Sequence, residues 1–320
     1  MPEAFFEEER RLLTPYFTNT DRDVFGLRLP QEVAGALFSR YSRSARSLRR
    51  VFLEEFYGGE GLAAGLLPAT SGSPEDRSAL RKARAFYDRV LVGYGDDSVA
   101  QLGGAHVALE GISNVAAKAV EDSRVGIAFL EKSTRYVRFD QKDAEGRWLF
   151  HPEERLCASP HREAFLTLMD GLFSAYAAQI EPMLEGIRKL LPIEAVEVRH
   201  PATGEALSWA DVERDAELLK TARRAYGATV RAHACDVMRG YLPGATRTNV
   251  GVFASGQAYE HLIDRLLSHP LGELNALGDA LRTELDELIP AFVKRAGRSE
   301  YLAALREAVR GMVRSVAAGP

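Results

Sequence analysis

The segment at residues 131–136 (EKSTRY) holds an acid, two hydroxyls, a guanidinium and a phenol within six positions. Arginine supplies planar donors with a permanent charge, which match a phosphate or a carboxylate. Serine and glutamate complement hydroxyl groups by hydrogen bonding. The segment therefore suits an anionic, hydroxylated, planar ligand. An apolar run at residues 125–130 comes directly before the segment. This run must therefore fix the position of the segment in the fold.

The overall composition is that of a globular enzyme and excludes several other classes. The chain has 320 residues with a net charge of −4, so a dedicated nucleic-acid binder is not favoured. Cys157 and Cys235 stand far apart, and the histidines show no ligand spacing, so neither a disulfide framework nor a metal site is predicted. No apolar run is long enough to span a bilayer, and the acidic N-terminus lacks a signal-peptide core. These features predict a cytoplasmic protein.

The first third of the chain reads as a helical N-terminal extension, residues 1–92. Apolar residues recur every three or four positions from Gln31 to Phe56, which predicts one helix. Five arginines between residues 40 and 50 lie on its other side; such a stripe is typical of either a solvated helix face or a phosphate-facing surface. A second helix is predicted from Ser73-Pro74 to Val92.

The remaining residues, 93–320, are predicted to form the core domain. Val99 to Asp122 is rich in Ala and Val and predicts a buried helix. Alternating patterns predict two strands at 135–139 and 147–151, a hairpin at 196–200 and 205–209, and a strand at 248–253. Helical spacing predicts one long helix that begins at residue 159 and further helices at 211–239, 257–267, 274–294 and 301–316. No glycine-rich nucleotide loop is present. The predicted class is α+β, helix-rich, with a small, mainly antiparallel sheet.

Four ordered segments resemble the signature of the flavin-dependent thymidylate synthases, also called thymidylate synthase complementing proteins. Arg124, eight residues and then Ser-Thr-Arg-Tyr at 133–136 are similar to the family's Arg-His-Arg and Ser-x-Arg-Tyr pattern. Residues 110–113 (EGIS) are similar to Glu-Gly-Val-Ser, residues 239–243 (RGYLP) to Arg-x-x-Leu-Pro, and residues 265–273 (RLLSHPLGE) to Arg-x-Asp-Ser-His-Ala-Gln-Trp-Glu. The sequence is thus identified as a divergent member.

The departures from the signature fall mainly on the expected flavin side. Asp122 and Ser123 stand where the family has Arg-His, and Asp96 and Gln101 replace a His and a Glu. The family's Asn-x-Arg-Ser-Leu appears at residues 254–258 as ASGQA, which lacks a flavin-contacting Asn and Arg.

The resemblance implies specific roles for individual residues. For dUMP it implies Arg135 and Arg239 at the phosphate and ribose, Ser133 at the phosphate, Glu131 at a sugar hydroxyl, and Arg265 as the catalytic contact to the uracil base. An ordinary ion-pair cluster of these residues is the structural alternative. For FAD it implies Ser98, Arg124, Val125 and His269.

The activity implied by the resemblance is reductive methylation of dUMP to dTMP, a step of nucleotide biosynthesis. It would use FAD as cofactor, with methylenetetrahydrofolate and NADPH as co-substrates, in a homotetramer. Two alternatives remain open. One is a nucleotide- or flavin-binding paralogue without this activity; the other is a structural or regulatory protein that contacts nucleic acid through the arginines at 40–50.

Overall fold

The computed structural model describes residues 4–57, 100–200 and 202–317, which divide into two compact units. Unit 1 comprises Met1–Val107, Ser123–Ala128 and Val252–Pro320; unit 2 comprises Ala108–Asp122 and Phe129–Gly251. The boundary predicted at residues 92 and 93, and the helix predicted to end at Val92, lie outside the described residues.

Helices dominate the described chain, and we number them in chain order. They are α1 Glu7–Leu13, α2 Gln31–Tyr41, α3 Leu48–Val51, α4 Asn114–Glu121, α5 Glu154–Cys157, α6 Arg162–Leu190, α7 Trp209–Arg214, α8 Ala216–Met238, α9 Gly256–Leu267, α10 Gly272–Leu288 and α11 Glu300–Ala317. A π-helical turn, Phe52–Tyr57, follows α3, and short 3₁₀ turns occupy Ile193–Ala195, Arg239–Tyr241 and Pro290–Phe292. No helix among the described residues is both long and apolar enough to cross a membrane.

The strands form two small sheets. They are β1 Gly104–Ser113, β2 Ile127–Glu131, β3 Val198–Arg199, β4 Ala206–Leu207 and β5 Arg247–Ser255. The larger sheet has the order β1-β5-β2, and β3 pairs antiparallel with β4. Backbone hydrogen bonds show that β2 and β5 are antiparallel, because the Lys132 amide donates to Asn249 (2.8 Å) and the Ser255 amide to Gly126 (3.4 Å). The predicted α+β class, rich in helix with small antiparallel sheets, is confirmed.

Unit 2 is built on the packing of α6 against α8. Their facing apolar residues are almost fully buried: Phe173, Tyr176, Ile180, Val230, Ala234 and Met238. The sequence pattern predicted both helices, but the helix predicted over 211–239 is interrupted. The Asp215 carboxylate accepts hydrogen bonds from the Glu217 and Leu218 amides, 2.9 and 3.1 Å away, and so begins α8 as a separate helix.

Unit 1 owes much of its core to the pair α9 and α10. Buried leucine and isoleucine side chains fill their contact: Leu262, Ile263, Leu266, Leu274, Leu281 and Leu285. Both predicted helices are present, although the second ends at Leu288 rather than continuing to Lys294.

The helix predicted over Val99–Asp122 is wrong, because Gly104–Ser113 is strand β1. Alanine and valine favour a buried helix by composition, but Gly111 has φ of +69°, which breaks any helix there. A helix does follow: the Ser113 hydroxyl accepts from the Ala116 amide (3.0 Å) and begins α4.

The hairpin predicted at 135–139 and 147–151 is also wrong. Residues 134–136 form a turn, in which the Tyr136 and Val137 amides both donate to the Ser133 carbonyl, at 3.1 and 3.2 Å. The second segment contributes only an isolated bridge between Phe150 and Thr246. The extended backbone lies instead in the preceding apolar run, which forms β2.

The helix predicted from Gln31 to Phe56 is broken between α2 and α3, where Ser47 caps α3. The arginines of this region do not form one basic face. Three are paired with carboxylates, as Arg40 with Glu55 (2.7 Å), Arg46 with Glu54 and Arg50 with Glu9 (2.5 Å). Arg49 is 3% exposed and donates to the backbone carbonyls of Asn19 and Arg22.

Candidate functional site

In unit 2, two arginines from distant parts of the sequence meet at one carboxylate. Arg135 Nε and Arg239 Nη2 each lie 3.2 Å from Oδ1 of Asp236. This oxygen is buried and accepts no hydrogen bond from any described residue. The two contacts are therefore ion pairs without hydrogen-bond geometry among the described residues, and both guanidiniums lie where they could also meet a ligand. Both side chains are about half exposed, at 52% and 50%, and the group carries a net positive charge suited to a phosphate.

The turn after β2 places Ser133 beside Arg135. The Ser133 hydroxyl oxygen accepts from the Arg135 amide (3.3 Å), so its own proton is left for donation. The same turn bends the chain sharply enough to bring Arg135 back toward the end of α8. A hydroxyl donor and two guanidiniums thus belong to one local group.

Glu131 ends β2 and lines a cavity of about 290 Å³. Burial raises the pKa of its carboxyl; a hydrogen bond from Thr248 opposes this shift, and the charge of Glu121 adds to it. Asn249, which also lines the cavity, is fixed by accepting from the Gly111 amide (3.0 Å). A partly buried carboxyl with a raised pKa beside a cavity is a candidate binding group.

We expect Glu131→Gln to stabilise the chain at pH 7 while weakening its ligand binding. Because the folded pKa is raised, the stability associated with this carboxyl is present at low pH and is lost as pH rises through the folded pKa. The substitution should therefore raise the unfolding midpoint by about 1–2 °C at pH 7 and leave it unchanged near pH 4. Thermal unfolding at the two pH values measures this; an equal shift at both would contradict it.

In unit 1, Arg265 and His269 lie at the end of α9. The His269 Nδ1 atom accepts from the Leu271 amide (3.1 Å), so Nε2 carries the proton and can donate. Burial and the charges of Arg306, Arg310 and Arg265 lower the pKa of His269. The imidazole is therefore neutral near pH 7, beside guanidiniums that favour an anion.

Two further residues predicted on the flavin side lie just before β2, also in unit 1. Arg124 and Val125 occupy the turn before β2, where the Arg124 carbonyl accepts from the Ile127 amide (3.3 Å). Val125 is 93% exposed. Ser98 lies outside the described residues.

The two departures in the segment at 254–258 have a steric explanation. Ala254 is fully buried. At Gly256 a Cβ atom would lie 2.4 Å from Cβ of Phe292, so no side chain fits without displacement. The Asn and Arg that the family carries at these positions cannot be accommodated in this packing.

The structure thus brings Ser133, Arg135 and Arg239 together in unit 2, and Arg265 and His269 together in unit 1. Sequence reasoning missed Asp236, Arg306 and Arg310. Asp236 precedes Arg239 by three residues, a helical spacing that could have revealed it. Arg306 and Arg310 come from α11, and no motif pointed to them. No group of three His, Cys, Asp or Glu side chains within the described ranges is arranged to hold a metal.

The chain has an α+β fold in which two arginines meet beside the Ser-x-Arg-Tyr turn. Residues 58–291 match the family model for the thymidylate synthase complementing protein. The chain therefore belongs to the thymidylate synthase complementing protein family.

The similar curated proteins share this chain's sequence over part of their length. A UPF0159 protein of Chlamydia pneumoniae is 39% identical over 319 residues, which covers 97% of this chain and 55% of the relative. A UPF0159 protein of Thermoplasma acidophilum is 32% identical over 264 residues, 82% of this chain and 48% of the relative. The chain spans about half the length of the curated relatives it matches.

Two solved structures are similar to this chain at low sequence identity. The flavin-dependent thymidylate synthase ThyX from Helicobacter pylori, complexed with FAD and dUMP, is 12% identical, with a TM-score of 0.45, over 83% of this chain and 95% of its own. The UMP/dUMP methylase PolB from Streptomyces cacaoi, bound with 5-Br dUMP, is 13% identical, with a TM-score of 0.38, over 82% and 89%. Similarity at this level carries no inference about ligands.

Proposed function

We propose that this chain takes part in the reductive methylation of dUMP to dTMP. Family membership supports this reaction class, and the observation that carries the proposal is the meeting of Arg135 and Arg239 at Asp236. Two guanidiniums that share one carboxylate among the described residues carry a net positive charge, which favours a dianionic phosphate. We further propose that the active protein is a homo-oligomer in the cytoplasm.

The unit 2 group is proposed to hold the nucleotide by its polar end. Arg135 and Arg239 bind the phosphate and ribose, and the Ser133 hydroxyl donates to a phosphate oxygen. Glu131 accepts from a sugar hydroxyl, which would compensate for the burial that raises its pKa. In this proposal the basic groups bind the phosphate and the acidic group binds the sugar, which explains why both kinds of residue lie within a few positions of each other.

Arg265 is proposed to act on the uracil base. Adding a carbon at C5 requires negative charge to build up on a ring carbonyl oxygen, and a guanidinium aimed at that oxygen stabilises it. His269 Nε2–H offers a donor and Arg124 a positive charge for an anionic cofactor, and the guanidiniums around His269 favour a diphosphate. These donors suit FAD. Once reduced by NADPH, the flavin would supply the hydride, and methylenetetrahydrofolate would supply the carbon.

Arg239→Gln should weaken dUMP binding by roughly 10- to 100-fold, because a charge-assisted hydrogen bond is lost. Isothermal titration calorimetry with dUMP measures the effect. Arg214→Gln is the matched control, since Arg214 is an exposed arginine of the same unit that pairs with Asp211 (3.0 Å). If Arg239→Gln lowers stability but leaves dUMP affinity intact, the residues form only an ion-pair cluster.

The activity itself is tested by rescue of a thymidine auxotroph and by tritium release from labelled dUMP in the presence of the folate. We expect purified protein to bind FAD with flavin absorbance and to support both. The packing around Ala254 and Gly256 leaves no room for the family's Asn and Arg, and this favours a second candidate, a nucleotide-binding paralogue. Binding of dUMP without flavin absorbance or tritium release would select that candidate.

A further inference from the structure

Helix α11 is joined to the end of α9 by hydrogen bonds within unit 1. Arg306 Nη1 donates to the Arg265 carbonyl (2.9 Å), and the Ser299 amide, one residue before α11, donates to the Ser268 hydroxyl (2.8 Å). The helix lies beyond residues 58–291, which match the family model. Any group that α11 adds to the site at the end of α9 is therefore not implied by membership of the family.

The positive charge around His269 comes largely from α11. The pKa of His269 is lowered first by burial, then by the charges of Arg306 and Arg310, and least by that of Arg265. Arg310 follows Arg306 by one turn of the same helix, about 6 Å along its axis. Because Coulombic interactions weaken with distance, this order indicates that both guanidiniums of α11 lie close to the imidazole.

Capping of α9 is the structural explanation for Arg306, because a helix C-terminus attracts positive charge. It accounts for one N–H, which donates to the Arg265 carbonyl, of a guanidinium that carries several. The carbonyls of Leu266 and Leu267 already accept from the Asn275 amide, at 2.9 and 3.2 Å. A second arginine one turn further along α11 is not needed for the cap.

The arginines of this group are not balanced by carboxylates. Within the described part of the chain, Arg265 and Arg306 make no ion pair. Arg310 pairs with Glu307 (3.3 Å), but both side chains are well exposed to solvent, so this pair is weak. Burial and the charge of Arg265 lower the pKa of Arg306. A bound anion would relieve the repulsion between these like charges.

We propose that Arg306, Arg310 and the Nε2–H of His269 bind the diphosphate group of a dinucleotide. The inference rests on the proposed function, because it takes this group for part of the cofactor site. His269 can donate from Nε2, since its Nδ1 accepts from the Leu271 amide (3.1 Å). Two guanidiniums one turn apart suit two linked phosphates, each with a negative charge, better than one. The guanidinium of Arg265 is left for the base.

Isothermal titration calorimetry with inorganic pyrophosphate tests this group without FAD and without turnover. Arg306→Gln and Arg310→Gln should each weaken pyrophosphate binding roughly tenfold, because a charge-assisted hydrogen bond is lost. Arg282→Gln is the matched control, since Arg282 is an exposed arginine of α10 in the same unit. Orthophosphate should bind more weakly than pyrophosphate. Equal affinity for the two anions, or equal effects of all three substitutions, would overturn the proposal.

The pKa of His269 in an NMR titration shows where the anion binds. Pyrophosphate should raise this pKa, because a nearby anion favours the imidazolium. Arg306→Gln should raise the pKa of His269 in the free protein and reduce the further rise that pyrophosphate causes. Circular dichroism verifies that the variant folds. If Arg306→Gln only lowers the unfolding midpoint and leaves pyrophosphate binding unchanged, then Arg306 is a helix cap and the proposal is wrong.

Titration with FAD and with NADPH distinguishes the two sources of a diphosphate. The dinucleotide whose affinity falls in both Arg306→Gln and Arg310→Gln is the one that occupies the group. If neither substitution changes the affinity for either dinucleotide, the inference fails, while FAD binding and tritium release would still support the proposed function. If the expected losses of affinity are found but no tritium is released from labelled dUMP, the proposed function fails and the diphosphate site stands.

Discussion

Arg265→Ala is expected to lower kcat/KM for dUMP methylation by about 10²–10³, the usual effect of losing one donor that stabilises a developing oxyanion. The loss should fall mainly on kcat, because this interaction strengthens as charge builds up on the ring. Nucleotide binding through unit 2 should change little, so the affinity for dUMP serves as an internal control. Tritium release from labelled dUMP at saturating nucleotide measures the effect.

A second readout for Arg265 does not depend on turnover. The Arg265 charge is one of the causes that lower the pKa of His269, together with burial and with Arg306 and Arg310. Removing a positive charge favours the imidazolium, so Arg265→Ala should raise the pKa of His269 in an NMR titration. Arg298→Ala is the matched control, because Arg298 is an exposed arginine of unit 1 paired with Glu300 (3.2 Å). A fully active Arg265→Ala enzyme would remove Arg265 from the catalytic role.

Lysine at position 265 separates charge from geometry. Arg265→Lys keeps the positive charge but loses the planar pair of donors. If only the positive charge at position 265 matters, the lysine variant retains most of the activity. If directed hydrogen bonds matter, its activity falls as far as that of Arg265→Ala. The effect on the pKa of His269 should be small in either case, because the charge is kept.

Local sequence patterns correctly predicted those helices and strands that are specified by their own residues. Helix α9 has strong helical periodicity and begins at the Ser255 cap, and β5 is a β-branched run; both were predicted and both are present. Strand β1 could not be recognised in the same way. Its alanines and valines read as helix, and the strand depends on hydrogen bonds to β5, which is more than a hundred residues away.

In the candidate site, too, local motifs were predictable from the sequence and contacts between distant residues were not. Motif order predicted Ser133, Arg135 and Arg239 as one group, and the structure brings them together. The pairing of both arginines with Asp236 depends on the turn at Ser133, which the sequence did not predict. The contribution of Arg306 depends on where α11 rests, and its distance from Arg265 in the sequence left no local signal.

Restoring the family's arginine at position 256 is expected to destabilise the chain. A Cβ atom there would lie 2.4 Å from Cβ of Phe292 and 3.0 Å from the Ala100 carbonyl oxygen, and Phe292 is almost fully buried. Gly256→Ala should therefore destabilise the chain by about 1–3 kcal/mol through overpacking. Gly256→Arg also forces a charged group into this packing, and we expect a loss of more than about 4 kcal/mol.

Gly227→Ala provides the opposite control for urea denaturation. Gly227 lies inside α8, where a Cβ atom would meet no atom of another described element within 4 Å. Alanine should therefore stabilise the chain by roughly 0.5–1 kcal/mol. The contrast between two glycines in helices separates steric exclusion from a general sensitivity to substitution. If Gly256→Arg unfolds at the wild-type urea midpoint and gains affinity for FAD, then the packing around Phe292 is not what excludes the family's arginine. The loss of that arginine would then be a functional difference, which a single substitution reverses.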